Sequence, residues 1–170
     1  MHEQQKQNNS SIGQVSETHR PKLSPAVKLF ASGFYSGYSP VISGTVGSAV
    51  GLLFYAIPSF EKIEFLLPAT LLCFILGAFT AGKMELVYGH DPSTVTIDEI
   101  VGMWISLFFL PKSILIALCA FILFRILDIL KPWPARAFDK KHGGLNIMLD
   151  DVVVGIYANI ILQGVLLLIH

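Results

Sequence analysis

Apolar residues run in long tracts from Gly44 onward, and short segments rich in Pro, Gly and charge separate them. Counted by the roughly 20 apolar residues that cross a hydrocarbon core, these tracts predict five candidate spans. They cover about 44–57, 65–81, 96–110, 113–130 and 151–169. The first is short and opens on Gly44-Thr45-Val46-Gly47-Ser48; the second is cleanly apolar apart from Pro68. The third is the least regular and carries Asp98 and Glu99 in its first turn. The fourth follows a tight Pro111-Lys112 turn and ends with Arg125 and Asp128, and the fifth opens with the pair Asp150 and Asp151. Ahead of them, 25–38 reads as an interfacial helix with Lys28 on its wet face. Residues 1–23 are rich in Gln, Asn, Ser and charge and hold too few apolar groups to offset the entropy of ordering, so they read as a flexible polar tail. No apolar run of the secretory-leader kind occurs before Ala26. The expected fold is all-α: a polytopic integral membrane helical bundle of four to five membrane segments with an amino-terminal interfacial helix, residues 24–170 forming one membrane-embedded domain.

Composition supports the bilayer as solvent. The chain has 170 residues, 53% hydrophobic and only 14% charged, where a soluble domain carries about 25% charge; the mean hydropathy is +0.62. Twelve basic residues balance twelve acidic ones, so the clustered basic excess that a nucleic-acid partner needs is missing. Cys73 and Cys119 lie inside apolar tracts without a second ligand at metal-binding spacing, which favours buried thiols over a disulfide or zinc site. Cys119 and Arg125 share the spacing of cysteine phosphatases, but the intervening Ala-Phe-Ile-Leu-Phe has no glycine and belongs to an apolar helix. There is no Walker A lysine loop either.

Basic residues near span ends set the orientation. With the tail inside, Lys22, Lys28, Lys83, Lys131, Arg136, Lys140 and Lys141 fall on the cytoplasmic side, and Lys62 and Lys112 face out. Alternating five spans from that start brings four scattered features to one face: Gly44 to Ser48, the Asp98-Glu99 pair, Arg125 with Asp128, and the Asp150-Asp151 pair.

Each feature has a bland reading beside the functional one. Carboxylates in a first helical turn complement the helix dipole, Arg125 and Asp128 can form a local ion pair three residues apart, one Asp of the 150–151 pair can cap a helix, and small residues at 44–48 can serve helix packing. Together, however, the acids supply more hard oxygen than the nearby bases neutralise, and such oxygen suits magnesium with a substrate phosphate. Gly44 and Gly47, with Thr45 and Ser48, can offer amides and hydroxyls to an anion at a helix start. His90-Asp91, in the loop before the third span, could carry a proton. Lys131-Pro132-Trp133-Pro134, followed by Arg136, reads as an interfacial segment at headgroup level.

In order, His90-Asp91, Ile97-Asp98-Glu99-Ile100-Val101-Gly102-Met103-Trp104, Phe124-Arg125-Ile126-Leu127-Asp128, Lys131-Pro132-Trp133-Pro134 and His142-Gly143-Gly144 through Asp150-Asp151 resemble the motifs of the phosphatidylglycerophosphatase A family. Gly33 to Gly51 is similar to its amino-terminal motif, and the likeness runs from about Phe30 onward. The resemblance implies a magnesium-dependent integral membrane phosphatase of the bacterial inner membrane, with its site on the cytoplasmic face. It would remove the terminal phosphate of phosphatidylglycerophosphate, leaving phosphatidylglycerol. On that footing Asp98, Glu99, Asp150 and Asp151 would hold Mg2+, with Asp128 as a further ligand or orienting group. Arg125 would stabilise phosphoryl charge, and Asp91 or His90 would carry the proton. Gly44, Thr45, Gly47, Ser48, Lys131, Arg136 and His142 would bind the substrate. Water and an aspartyl-phosphate route stay open as nucleophiles, and so does the oligomeric state. The alternative from another class is a small channel or transporter subunit, whose charges would line a path at mid-depth.

Overall fold

The computed structural model describes residues 22–169, so all but the last two residues of the expected polar tail lie outside the described residues. Among the described residues the fold is all-α. Its elements are α1 (Pro25–Ala31), a 3-10 turn (Ser36–Tyr38), α2 (Ser43–Ala56), α3 (Ile63–Tyr88), α4 (Ile97–Ser106), α5 (Ile114–Leu130), α6 (Ala135–Asp139) and α7 (Gly144–Ile169).

The amino-terminal helix is shorter than its sequence predicts. Ser24 caps α1 by accepting from the Val27 amide at 3.3 Å, with Pro25 at the first helical position. The helix ends where Gly33, Phe34 and Tyr35 take positive φ, and the chain re-enters a 3-10 turn instead of running helical to Tyr38.

Helices α3 and α7 have 26 residues each and are long and apolar enough to cross a membrane, spanning about 39 Å at 1.5 Å per residue. Pro68 sits within the second turn of α3, so the helix forgoes only the bond to the Glu64 carbonyl. Outward faces of both stay apolar and exposed, with Leu72, Ile75 and Phe79 on α3 and Ile160, Leu167 and Leu168 on α7. A continuous apolar surface of that kind suits lipid rather than water.

The third predicted span departs most from expectation. Only Ile97–Ser106 is helical, about 15 Å of rise, too short to cross a hydrocarbon core by itself. It is covered by protein: Ile100, Val101, Met103 and Trp104 are buried. The helix stops because the Ser106 hydroxyl turns back to the Met103 carbonyl at 2.7 Å, Phe109 takes a positive φ and Pro111 follows. Its loosened carboxyl end is answered from α7, where Asn159 Nδ2 donates to the Ser106 and Phe108 carbonyls at 3.2 and 2.7 Å. Irregular backbone inside an apolar bundle needs such partners. Trp104 pins the other side, donating Nε1–H to the Gly51 carbonyl of α2 at 2.8 Å.

Close backbone approaches set the register of the bundle. A Cβ on Gly144 would fall 2.0 Å from the Ala78 carbonyl oxygen of α3, and one on Gly155 would fall 2.5 Å from that of Gly102 on α4. The first crossing seats the start of α7 on α3; the second lays α7 along α4. The amino-terminal acids of α4 and α7 are thereby brought side by side. At the opposite end of the bundle, Lys112 Nζ bonds the Ile57 carbonyl at 3.0 Å and Glu61 at 2.7 Å, joining the loops that precede α3 and α5.

Candidate active site

The starts of α2 and α4, the end of α5 and a stretch of α7 about two turns from its start meet around one pocket of about 240 Å³. Ser43 and Gly44 come from α2, Asp98 and Glu99 from α4, Arg125 and Asp128 from α5, and Asp150 and Asp151 from α7; Lys131 and the 91–95 loop complete the wall. The four features that the alternating spans gather on one face therefore do share one cavity.

Six carboxylates line this pocket, those of Asp91, Asp98, Glu99, Asp128, Asp150 and Asp151, against the two cations Arg125 and Lys131. The cations pair with three of these acids, Glu99, Asp128 and Asp150. Arg125 pairs closely with Glu99 through Nη1 and reaches Asp128 at 3.2 Å. Ser48 Oγ lies 3.1 Å from Glu99 Oε2 and 3.4 Å from Arg125 Nη1. Lys131 Nζ bonds Asp150 at 2.5 Å and Asp139 at 2.6 Å, with Asp128 at 3.9 Å. Burial alone would lower the Lys131 ammonium, but the Asp150 and Asp139 carboxylates outweigh it and hold the pKa above its ordinary value. Lys131 thus stays charged as a fixed part of the wall. The side-chain oxygens of Asp98, in the first turn of α4, and of Asp150 accept from the next residue's amide, at 2.9 and 3.0 Å; α7 starts at Gly144, so the acid pair at 150–151 lies inside the helix and does not open it as the sequence predicts.

Glu99, Asp128 and Asp151 converge, each offering an oxygen within 4.8 Å of the others, with Arg125 shared by the first two. Three hard oxygen donors drawn from three helices, in a pocket with excess negative charge, fit Mg2+, which closes such ligands to about 2.1 Å. Arg125 Nε is buried without a hydrogen-bond partner. It is a donor for which the protein supplies no acceptor, beside a pocket that would admit a phosphoryl oxygen.

The other residues singled out in the sequence fall in different places. Gly44 lies against the ion pair: a Cβ there would stand 2.1 Å from Glu99 Oε1 and 2.9 Å from Arg125 Nη2. Gly47 is buried against Thr96 rather than facing the pocket. Thr45 is half-buried outside the lining and Arg136 is exposed on α6. Asp91 lines the rim at a positive φ of 41°, whereas His90 turns away. It joins His142 on Glu85, the two Nδ1 atoms lying 3.1 and 2.9 Å from Glu85 Oε1. The Glu85 hydrogen bond, the largest influence on His90, raises its pKa above 6.5. Sequence reasoning missed Glu85 and Asp139. The only trace of either is a lone acid, one near the end of an apolar tract and the other amid basic residues.

Comparison with known proteins bears on this geometry. The family model described as phosphatidylglycerophosphatase A matches residues 29–166. A phosphatidylglycerophosphatase A of Escherichia coli is 38% identical over 142 residues, covering 82% of this chain and 83% of that protein. One from Haemophilus influenzae is 41% identical over 143 residues, 82% and 88% of the two chains. A putative phosphatidylinositol-3-phosphatase of Bacteroides thetaiotaomicron is 36% identical over 151 residues, 84% and 94%. No solved structure matches. By these matches the chain, all-helical among the described residues, is a lipid phosphatase. Within that class, the chain belongs to the phosphatidylglycerophosphatase A family.

Proposed function

We propose that this chain hydrolyses the terminal phosphomonoester of phosphatidylglycerophosphate, with Mg2+ held by Glu99, Asp128 and Asp151, at the cytoplasmic face of the bacterial inner membrane. The carrying observation is that four helices, far apart in sequence, line one pocket near their ends with six carboxylates and two cations. The relatives named for the reaction match most of the chain.

The membrane reading follows from the same ends. Helices α2, α3, α5 and α7 alternate between the acid end and the Lys112–Glu61 end. The shorter α4, continued through the turn at 107–110, runs between them inside the protein. With the basic residues at the acid end, the positive-inside rule assigns that end to the cytoplasm. A channel would need charged groups along mid-depth; here the buried acids collect at one end.

Bound there, Mg2+ would neutralise phosphoryl charge and lower the pKa of water. Arg125 offers its unpaired Nε–H to a phosphoryl oxygen and balances charge as the bond to the leaving alkoxide lengthens. Lys131, fixed by Asp139 and Asp150, holds Asp150 in place. Asp91, exposed at the rim, takes the proton of the attacking water.

The test is inorganic phosphate release from phosphatidylglycerophosphate in detergent micelles, with Mg2+ and with excess chelator. Wild type is expected to require Mg2+, and Asp151→Asn to lose about 10³-fold in rate, the scale of a lost charge clamp in phosphoryl transfer. Near-normal turnover by both Asp151→Asn and Asp98→Asn would remove the acid pocket from catalysis.

A further inference from the structure

Outside the acid pocket, Glu85 near the end of α3, His90 in the following loop and His142 before α7 bring one carboxylate oxygen and two imidazole nitrogens within 4.8 Å of one another. They border a broad surface depression of about 840 Å³ that also includes Lys83 and Gly143. The partners of His90 set what the trio requires. Its Nε2 lies 2.9 Å from the Asp139 backbone carbonyl, which can only accept, so Nε2 carries the proton. In the neutral ring Nδ1 is then a bare lone pair, yet it sits 3.1 Å from Glu85 Oε1. Two lone pairs repel at that distance, so a positive charge must be shared between them, either an added proton or a metal ion. His142 approaches the same oxygen at 2.9 Å, and its ring centroid lies 4.5 Å from that of His90. The other Glu85 oxygen is held by the Gly143 amide at 2.6 Å. This is how metal-binding side chains are usually held: the imidazole is oriented by a backbone carbonyl through its far N–H, and the carboxylate by an amide.

We propose that Glu85, His90 and His142 form a second metal site, selective for a borderline divalent cation of the zinc kind over Mg2+. Two imidazoles and one carboxylate are the donor chemistry that zinc accepts with a fourth position left to water, and imidazole nitrogen is a poor ligand for magnesium. The donors come from α3, the 89–96 loop and the segment before α7, so the ion staples three pieces of chain, one of which, the 89–96 loop, lines the rim of the acid pocket. Asp139, whose carbonyl orients His90, also bonds Lys131, and Asp91 follows His90 directly. The staple therefore fixes the rim without contributing to the bond-breaking set, and it stands whether or not the acid pocket hydrolyses phosphatidylglycerophosphate.

The test uses the full chain in detergent, stripped with chelator, and measures Zn2+ affinity against a competing chromophoric chelator in excess Mg2+. Wild type is expected to bind one Zn2+ that Mg2+ does not displace. His142→Ala should weaken binding by about 100-fold, the upper end of what losing even an outer partner costs a metal site. That side chain is 78% exposed, so its truncation leaves the fold intact; Glu85→Gln provides a second variant. Asp151→Asn should bind Zn2+ as wild type does, which separates this site from the acid pocket. X-ray absorption at the zinc edge should show two imidazole nitrogens, and Zn2+ should slow amide exchange over 89–93. An oxygen-only zinc shell, or unchanged affinity in both His142→Ala and Glu85→Gln, would overturn the proposal, as would wild type that is folded but binds no Zn2+.

Discussion

The set Glu99, Asp128 and Asp151 is all carboxylate, comes from three helices and is buried. The Glu85–His90–His142 group is two-thirds imidazole, comes from one helix end and two loops, and leaves His142 largely in water. Carboxylates cannot shed their charge at neutral pH without a proton or a cation, so gathering six of them near two bases, four of them buried, builds a standing demand for positive charge. Imidazoles can go neutral, and their group tolerates exposure because water shares the burden. The first arrangement suits a hard ion and a charged reaction; the second suits a softer ion and a structural tie.

The largest expected effect that sharpens this contrast is at Arg125. Arg125→Lys keeps a cation but loses the fork that reaches Glu99 and Asp128 and still has Nε to spare. Phosphate release should fall by about 100-fold or more, and a value within a few fold of wild type would show that only its charge matters. A smaller loss is expected from Gly44→Ala. Its methyl would stand 2.1 Å from Glu99 Oε1, so the ion pair must shift, costing about 1–3 kcal/mol of stability as overpacking does. Unchanged thermal stability and turnover would mean that the start of α2 simply moves aside. The smallest effect is at His90. Its pKa is raised in the folded chain, so the tie to Glu85 contributes stability fully below the unfolded value of about 6.5 and loses it as pH rises through the folded value. In metal-free protein, NMR titration should place His90 above 6.5, and Glu85→Gln should bring it back; an ordinary value in wild type would show that the tie does not form in solution.

Much of the active end was legible in the sequence because its residues sit at span boundaries, and the alternation of spans converts boundary position into spatial proximity. Asp98, Glu99, Arg125, Asp128, Asp150 and Asp151 needed only that rule to be gathered. The boundaries of α4 were not legible. Tract hydropathy is the same whether an apolar segment crosses lipid or is wrapped by neighbours, and the stop at Ser106 depends on the α7 residue Asn159, far along the chain. Glycines at 44 and 47 also read alike in sequence. One presses on the Glu99–Arg125 pair and the other on Thr96, a difference set by the helix crossing and not by composition. Glu85 and His142 are 57 residues apart and carry no shared periodicity that would pair them.

The size of the acid pocket sets how a lipid can be handled. At about 240 Å³, lined by acids, Arg125, Lys131 and small residues with only Pro92 and Val95 as apolar members, it has room for a phosphorylated glycerol head and no slot for an acyl chain. On the proposed function, the tails stay in the bilayer throughout, and the search for substrate is a two-dimensional one, governed by mole fraction in the sheet instead of bulk concentration. Turnover at fixed mole fraction should then be indifferent to acyl length, which a series of mixed micelles would measure; a steep chain-length preference would place a tail-binding groove elsewhere on the apolar flank. On the same reading, phosphate departs to water while the lipid product, still an anionic phosphodiester, diffuses away sideways, so the two products need not compete for one exit.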